Sequence, residues 1–313
     1  MDGRLRSPAL RGDQASPGLR TVTRVALTLR LLGGLTTDEI ARAFLTPEPT
    51  IAQRIVRAKR TLADKYIPFE IPRGPELAAR LSSVLEVIYL IFNEGYSATA
   101  GDDLMRPTLC EDALRLGRIL AELTPTEPEV HGLVALMEIQ ASRTRARVTS
   151  TGELVLLFDQ NRTQWDQLLI HRGLTAIERA HKINTTRGPY LLQAEIAACH
   201  ARAWTPSETD WHRIIILYTE LAQLTPSPVI ELNRAVAVSM AHGPRAGLTL
   251  VDALASEPSL ARYHLLPSVR ADLLYKLGRY PEARAEFERA AALTQNRRER
   301  ALLLSRAAAC QSI

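Results

Sequence analysis

Apolar residues recur at helical spacing along most of the chain. After residue 76 they form a stripe at intervals of three and four residues: Leu77, Leu81, Val84, Leu85, Ile88, Tyr89 and Phe92. Such a stripe is typical of a helix with one buried face. Upstream, beyond the break at Gly33 and Gly34, the pattern predicts a short helix over residues 37–44 and a longer one over 47–65. The sequence therefore predicts an all-α protein.

Two interruptions divide this helical pattern. Prolines at positions 68, 72 and 75 predict a linker over residues 68–75, because proline removes a backbone donor and restricts its neighbour. Two short β-prone runs on either side of Ser150, Thr151 and Gly152 predict one small hairpin or extended loop. Farther upstream, the segment NEGYSAT predicts a helix stop, with Gly95 in a left-handed conformation.

The C-terminal third repeats a helical unit. Related helix ends recur near residues 125, 226, 258 and 295, and the last two intervals bracket the period of about 34 residues typical of TPR units. In the final unit, Gly278 and Tyr280 suit a tight turn, and Ala283, Phe287 and Ala290 suit close helix packing. We therefore expect a disordered tail over 1–20, a small helical domain over 21–67, the linker, a helical domain over 76–206 and TPR-like repeats over 207–313.

The positive charge lies at one end of the chain. Residues 1–73 hold 13 basic and 7 acidic residues, whereas the remaining 240 hold 26 basic and 27 acidic residues. This asymmetry favours an N-terminal unit that faces a polyanion. Three widely spaced cysteines indicate a reducing, cytoplasmic location, and no apolar run is long enough to predict a membrane span or a signal peptide.

The two N-terminal helices have the pattern of a helix-turn-helix. Thr37 is the expected cap of the first helix and Thr46 of the second, and Ile40 and Ala41 are expected to face inward. In the second helix the expected inward stripe is Ile51, Ile55, Ala58 and Leu62, and the expected DNA-binding residues are Thr50, Gln53, Arg54, Arg57, Lys59 and Arg60. Arginine can bind guanine, glutamine can bind adenine, and lysine and arginine bind phosphates. A solvated basic helix on an ordinary domain is the alternative.

Residues 24–72, RVALTLRLLGGLTTDEIARAFLTPEPTIAQRIVRAKRTLADKYIPFEIP, resemble region 4 of an extracytoplasmic-function sigma factor. The resemblance is to the subgroup with a C-terminal TPR-like extension, and it continues through YLIFNEGYSAT, ELVLLFDQNRTQWDQLLI, RGPYLLQAEIAACHA and SPVIELNRAVAV. It covers about residues 22–295. It implies that region 4 reads the −35 promoter element and contacts core RNA polymerase, with promoter DNA and the polymerase as partners.

Two departures from this family affect the expectation. Only about 20 polar residues precede region 4, so we expect no promoter-melting region 2 and no initiation in the usual manner. The family's DQDR string reads DQNR here, which puts a charge-specific role of position 161 in doubt.

The segment that contains this string is a candidate regulatory motif: Asp159, Gln160, Asn161, Arg162 and Trp165. The resemblance implies that it belongs to the extension that modulates activity, which makes it a surface for a regulatory protein or for docking within the chain. The alternative, which we favour, is structural. In it Asp159 caps the next helix, Trp165 is buried, and an aspartate pairs with an arginine.

We expect neither a catalytic site nor a metal site nor a cofactor. Seven histidines show no ligand spacing, and no phosphate loop or nucleophile motif is present. His181 and His200 are expected to be surface or hydrogen-bonded residues.

Three functions remain open. The first is a sigma-factor-like transcription regulator whose extension modulates region 4. The second is a TPR-like scaffold with a vestigial helix-turn-helix, and the third is a DNA-binding regulator that senses a small molecule.

Overall fold

The computed structural model describes residues 26, 29–30, 35–44, 46–64, 75–98, 100–101, 105–149, 152–184 and 186–311. The predicted disordered tail lies outside the described residues. So does the predicted linker, apart from Pro75, which begins a helix.

The prediction of an all-α protein is confirmed. Helical residues Ala26, Leu29 and Arg30 precede the helix-turn-helix. Its helices are α1 (Thr37–Ala43) and α2 (Glu48–Asp64), close to the predicted bounds. The following helices are α3 (Pro75–Tyr96), α4 (Pro107–Leu123), α5 (Pro128–Ala141), α6 (Gln167–Ile183), α7 (Pro189–Arg202), α8 (Trp211–Leu224), α9 (Pro228–His242), α10 (Pro244–Ala253), α11 (Leu265–Lys276), α12 (Tyr280–Leu293) and α13 (Arg297–Ala309).

Helix α3 ends within the segment NEGYSAT, as predicted, but Gly95 is not in a left-handed conformation, and that part of the expectation was wrong. The helix continues to Tyr96, and a Cβ on Gly95 would lie 2.7 Å from the backbone nitrogen of Cys110 in α4. The glycine therefore permits a close approach of α4 to α3, which requires a missing side chain rather than a left-handed backbone.

The helices from α3 onward form a stacked array in which each helix packs against the next along the chain. Helix α5 also packs against α7, and Gly132 allows their backbones to approach, since a Cβ there would lie 2.7 Å from the backbone nitrogen of Leu191. Such stacking is the arrangement of helical repeat proteins. The predicted final unit is present as α11 and α12, with Gly278 at φ +74° between them and Ala283, Phe287 and Ala290 buried. Its assignment as TPR remains a prediction.

The buried residues form successive clusters along the array. The inward residues of the helix-turn-helix belong to the cluster that contains the core of α3 to α7. A second cluster joins α7 to α8 and α9, with Leu192 and Ile196 packed with Ile214 and Leu217. A third fills α9 to α13. The helix-turn-helix is therefore packed onto the body.

The end of the array returns to its beginning. Strand β1 (Ala100–Gly101) pairs in parallel with β2 (Gln295–Asn296), in the register Ala100 with Gln295. The fully buried Asn296 donates from Nδ2 to the carbonyl of Ala98 (3.2 Å), and its Oδ1 accepts from the first backbone amides of α13. These bonds join the chain after α3 to the chain before α13 and so close the array around its inner face.

The predicted hairpin is reduced to a single antiparallel bridge between Val148 and Leu154. Backbone bonds from Thr149 N to Glu153 O (2.9 Å) and from Val155 N to Arg147 O (2.8 Å) flank it. Gly152 has φ +81°, and the turn residues 150 and 151 lie outside the described residues. Beyond the bridge, the chain enters the inner face of the array.

Candidate nucleic-acid interface

A capping box begins the first helix of the helix-turn-helix. Thr36, not Thr37 as expected, is the cap: its hydroxyl accepts from Glu39 N (3.2 Å), and Glu39 Oε2 accepts from Thr36 N (2.6 Å). The two residues satisfy each other's free amides, which fixes the start of α1. Ile40 and Ala41 are buried as predicted. The hydroxyl of Thr46, the expected cap of α2, donates to the carbonyl of Phe44 (3.1 Å).

Helix α2 has a buried face and an opposite polar face. Ile51, Ile55 and Ala58 are buried as predicted, whereas the side chain of Leu62 lies outside the described set. All six predicted DNA-binding residues lie away from the core. Gln53, Arg57, Lys59 and Arg60 are exposed, and Thr50 and Arg54 are partly buried. The structure thus brings the six residues onto one helix with accessible functional groups.

The basic groups of this face carry no compensating partner among the residues that the structure describes. In that part of the chain, the side chains of Arg54, Arg57, Lys59 and Arg60 make neither an ion pair nor a hydrogen bond, and only the backbone carbonyl of Arg57 accepts, from the Thr61 hydroxyl. Guanidinium and ammonium groups that make no internal bonds keep all their donors for a ligand. A helix of this kind can place arginines against base edges and lysines against phosphates.

The helix-turn-helix contacts the body through α1. Glu39 Oε1 accepts from Arg106 Nη1, which precedes α4 (3.1 Å). Arg42 Nη1 donates to Gln295 Oε1 in β2 (2.6 Å) and also pairs with Asp38. These contacts use the helix that does not carry the basic face, so the body holds the unit while α2 keeps its polar side outward.

The side chain of Arg162 fixes the 159–165 segment to the body. It is buried, and its Nη1 donates to the carbonyls of His200 (2.9 Å) and Ala203 (2.7 Å). Its Nη2 donates to Thr209 Oγ1 (3.2 Å). A cation placed on the last carbonyls of α7 satisfies acceptors that have no intrahelical partner and complements the helix dipole.

Trp165 and Gln160 are buried beside this arginine. The guanidiniums of Arg143 and Arg162 lie 5.5 and 5.1 Å from the Trp165 ring. Gln160 donates to Val155 O (3.2 Å) and accepts from Arg143 Nε (3.4 Å). Cations over an indole face are attracted by its quadrupole. The structure therefore brings three of the five predicted motif residues, Gln160, Arg162 and Trp165, into one buried cluster.

The two remaining motif residues are exposed. Asn161 caps the short 3-10 turn Arg162–Gln164, with its Oδ1 accepting from Thr163 N (3.1 Å). Asp159 does not cap the next helix as expected. That cap is Asp166, which accepts from Leu168 N (2.9 Å) and Leu169 N (3.1 Å). The expected aspartate–arginine pair is replaced by bonds from Arg162 to backbone carbonyls, because α7 presents free acceptors closer to the guanidinium.

Three further arginines, which the sequence analysis did not predict, make contacts in or with the part of the chain that precedes the 159–165 segment. Arg143 donates to Gln140 Oε1 (3.0 Å), and the fully buried Arg147 lies 3.7 Å over the Tyr96 ring and donates to the carbonyl of Tyr96. Arg298 in α13 donates to the carbonyl of Gly152. The alternating run RTRAR at 143–147, directly before a β-prone stretch, is the sequence signal that could have indicated the first two.

His200 differs from the expectation, whereas His181 agrees with it. His181 Nε2 lies 3.1 Å from Glu195 Oε1. The Nδ1 of His200 is buried and has no partner in the described part of the chain, and its ring packs edge-on against Trp211 at 5.2 Å. Burial lowers the pKa of His200 to about 3, and the charges of Arg143 and Arg162 act in the same direction.

No cluster of three His, Cys, Asp or Glu side chains suited to a metal ion occurs within the described ranges. Among the described helices, none is long and apolar enough to cross a membrane.

Two family models match the chain. The model of sigma-70 region 4 matches residues 13–62, and that of a family of unknown function, DUF6596, matches residues 80–181. The second match covers part of the stretch predicted to be a TPR-bearing extension and gives no support for TPR. No solved structure matches the chain.

Two curated proteins are similar to the chain. Uncharacterized protein R00370 of Rhizobium meliloti is 46% identical over 289 residues, which cover 92% of this chain and 68% of the relative. Serine/threonine-protein phosphatase T of Trypanosoma brucei brucei is 35% identical over 86 residues, which cover 26% of this chain and 17% of that protein. The chain is therefore a sigma-factor-like protein, and it belongs to the family of the Rhizobium meliloti protein R00370.

Proposed function

We propose that the chain is a transcription regulator whose region 4 reads the −35 promoter element and contacts core RNA polymerase. In this proposal the C-terminal TPR-like helical extension modulates the activity of region 4. The observation that carries the proposal is the basic face of α2, which lies inside the sigma-70 region 4 match and has accessible, internally unpaired cations.

The geometry of α2 supports DNA reading by this face. Ile51, Ile55 and Ala58 anchor the helix in the core, so the opposite side projects as a rigid surface. On it, Gln53, Arg54 and Arg57 lie within about one helical turn, which suits successive base edges in a major groove. Lys59 and Arg60 follow toward the C-terminal end, where they would bind the phosphate backbone.

The contacts of α1 support a role of the body in modulation. Arg106 and Gln295 come from the two ends of the array, and each holds one side chain of α1. A change in the closure of the array would therefore alter the support of region 4. The inner face is occupied by the chain's own 153–165 segment, which favours docking within the chain over capture of a separate regulatory protein at that place.

The test is a titration of core RNA polymerase against the labelled full chain, with and without DNA that contains a −35 element. The native chain is expected to bind polymerase saturably at micromolar concentration or tighter, and DNA should strengthen this binding. The variant Arg54→Ala/Arg57→Ala should lose the DNA increment, because these two arginines are the proposed base-reading residues.

The matched control is Arg245→Ala/Arg262→Ala, which removes the same charge from exposed positions of the body. It should bind polymerase and DNA as the native chain does. Equal loss of DNA binding in both variants would mean that net charge, not the α2 face, attracts DNA. Absence of polymerase binding by the native chain would overturn the proposal and would favour the scaffold function, in which only the helical body binds a partner.

A further inference from the structure

A partly open cavity of about 300 Å³ lies on the inner face of the array. Its walls are the segment after Gly152, with Leu154 and Phe158, together with α9, α11 and α13. The volume lies at the lower end of the range for small-molecule sites, which are concave, mainly apolar and supplied with a few polar groups. The proposed binding of promoter DNA and polymerase does not use this cavity.

We propose that this cavity binds a small molecule with an extended apolar body and one terminal carboxylate. The proposal goes beyond promoter binding and does not depend on it, because none of the six DNA-binding candidates lines the cavity.

One end of the cavity is cationic. The carboxylate of Asp272 is shared by two cations, Lys276 Nζ at 2.9 Å and Arg306. Their influence lowers the pKa of Asp272 against the effect of its burial, so the carboxylate stays ionised. Two cations on one carboxylate leave a net positive charge, and both side chains have donors beyond their single bond to Asp272. This end is therefore suited to accept a second carboxylate.

The other end has no such excess. Glu299 accepts from Thr294 Oγ1 (2.8 Å) and lies 3.3 Å from His264 Nε2. An anionic ligand group would be repelled here. The two ends of the cavity therefore differ in charge, so a ligand with one carboxylate can bind in a single orientation.

The distance between the two ends sets the length of the ligand. His264 pairs with Glu299 as Asp272 pairs with Arg306, so α11 and α13 run in parallel along the cavity. At about 1.5 Å per residue, the seven to eight residues between these pairs span about 11 Å. Between them the wall is apolar, with Val269, Leu273, Leu302 and Leu303. An unbranched medium-chain carboxylate matches this length and polarity.

The test is calorimetric titration of the full chain with decanoate below its micelle concentration, with decanol as an uncharged probe of the same length. Decanoate is expected to bind saturably, and decanol at least about tenfold more weakly, because a charge-assisted hydrogen bond is worth about that factor. No DNA or polymerase is present, so the result is independent of the function of region 4.

Two variants locate the binding. Lys276→Gln should weaken decanoate about tenfold and leave decanol unchanged, since only the carboxylate needs the ammonium. Ser268→Phe places a ring in the cavity and should abolish binding of both. The control Arg245→Gln removes a cation from an exposed position of α10 and should change nothing. Melting curves establish that each variant is folded. If Ser268→Phe does not fold, the comparison of Lys276→Gln with the native chain still decides the test.

The proposal is overturned if decanoate gives no saturable heat with the native chain. It is equally overturned if decanol binds as tightly as decanoate, or if a folded Lys276→Gln variant binds decanoate like the native chain.

Discussion

Replacement of Arg162 by methionine removes three hydrogen bonds from the buried cluster of Gln160, Arg162 and Trp165 and keeps an unbranched apolar stem. The lost bonds go to the carbonyls of His200 (2.9 Å) and Ala203 (2.7 Å) and to Thr209 Oγ1 (3.2 Å). The two carbonyls then stay buried at the end of α7 without this donor. Each unsatisfied acceptor costs about 1–3 kcal/mol.

The free-energy cost of the unsatisfied carbonyls is partly offset, because the native state no longer holds a buried charge. Burial and the neighbouring Arg143 lower the pKa of Arg162, which means that its charge is held at some cost in the native state. Loss of the cation from the Trp165 ring, in contrast, destabilises the native state by about 1 kcal/mol. We therefore expect Arg162→Met to lower the free energy of unfolding by about 3 kcal/mol.

Urea denaturation followed by far-ultraviolet circular dichroism measures this change. Hydrogen exchange should also show faster exchange at residues 152–166 in the variant, because the segment loses its main attachment. A loss below about 0.5 kcal/mol, with exchange unchanged, would refute the reasoning that these bonds hold the segment.

The matched control is Asn161→Asp, one residue away. Asn161 is exposed and caps the 3-10 turn, and aspartate caps as well as asparagine. The variant restores the DQDR string of the resembling family and should change stability by less than about 0.5 kcal/mol. A large effect would mean that the charge at position 161 has a partner.

Three further predictions concern stability and thiol reactivity. The pKa of His200 falls from 6.5 to about 3 on folding, so between these pH values the unfolded chain binds more protons than the native chain. The free energy of unfolding should therefore decrease as the pH is lowered, by up to about 1.4 kcal/mol per pH unit. The urea midpoint of the variant His200→Phe should depend less on pH than that of the native chain. Burial raises the pKa of Cys110 to about 12 and that of Cys199 to about 11, so both thiols should react with iodoacetamide at pH 8 far more slowly in the native chain than in urea, as mass spectrometry of the labelled peptides would show. Gly132→Ala should destabilise by about 1–3 kcal/mol, since the new Cβ would lie 2.7 Å from the backbone nitrogen of Leu191, and an unchanged melting curve would contradict this close packing of α5 on α7.

The sequence predicted those features that depend on residues close together in the chain. The spacing of Ile51, Ile55 and Ala58 predicted the buried face of α2 and, with it, the accessible side of Gln53 and Arg57. The tight turn at Gly278 and the all-α class followed in the same way. A helix is specified by periodicity and termini within a few residues, so such patterns predict it well.

Errors of one or a few positions arose where several residues could make the same local bond. Thr36 precedes α1 and Thr37 is its first residue, and only Thr36 has Glu39 at the position that completes a capping box. Glycine is typical of helix ends, but Gly95 lies inside the helix, where the close approach of α4 leaves no room for a side chain.

The tertiary structure alone decided the closure of the array and the contents of its inner face. Arg162 finds its acceptors 38 to 47 residues away, and Asn296 bonds to Ala98 across 198 residues. The cavity is formed by side chains from four separate segments between Leu154 and Arg306. No local pattern specifies such pairings, because each depends on which helix ends and apolar faces meet when the whole array packs and closes.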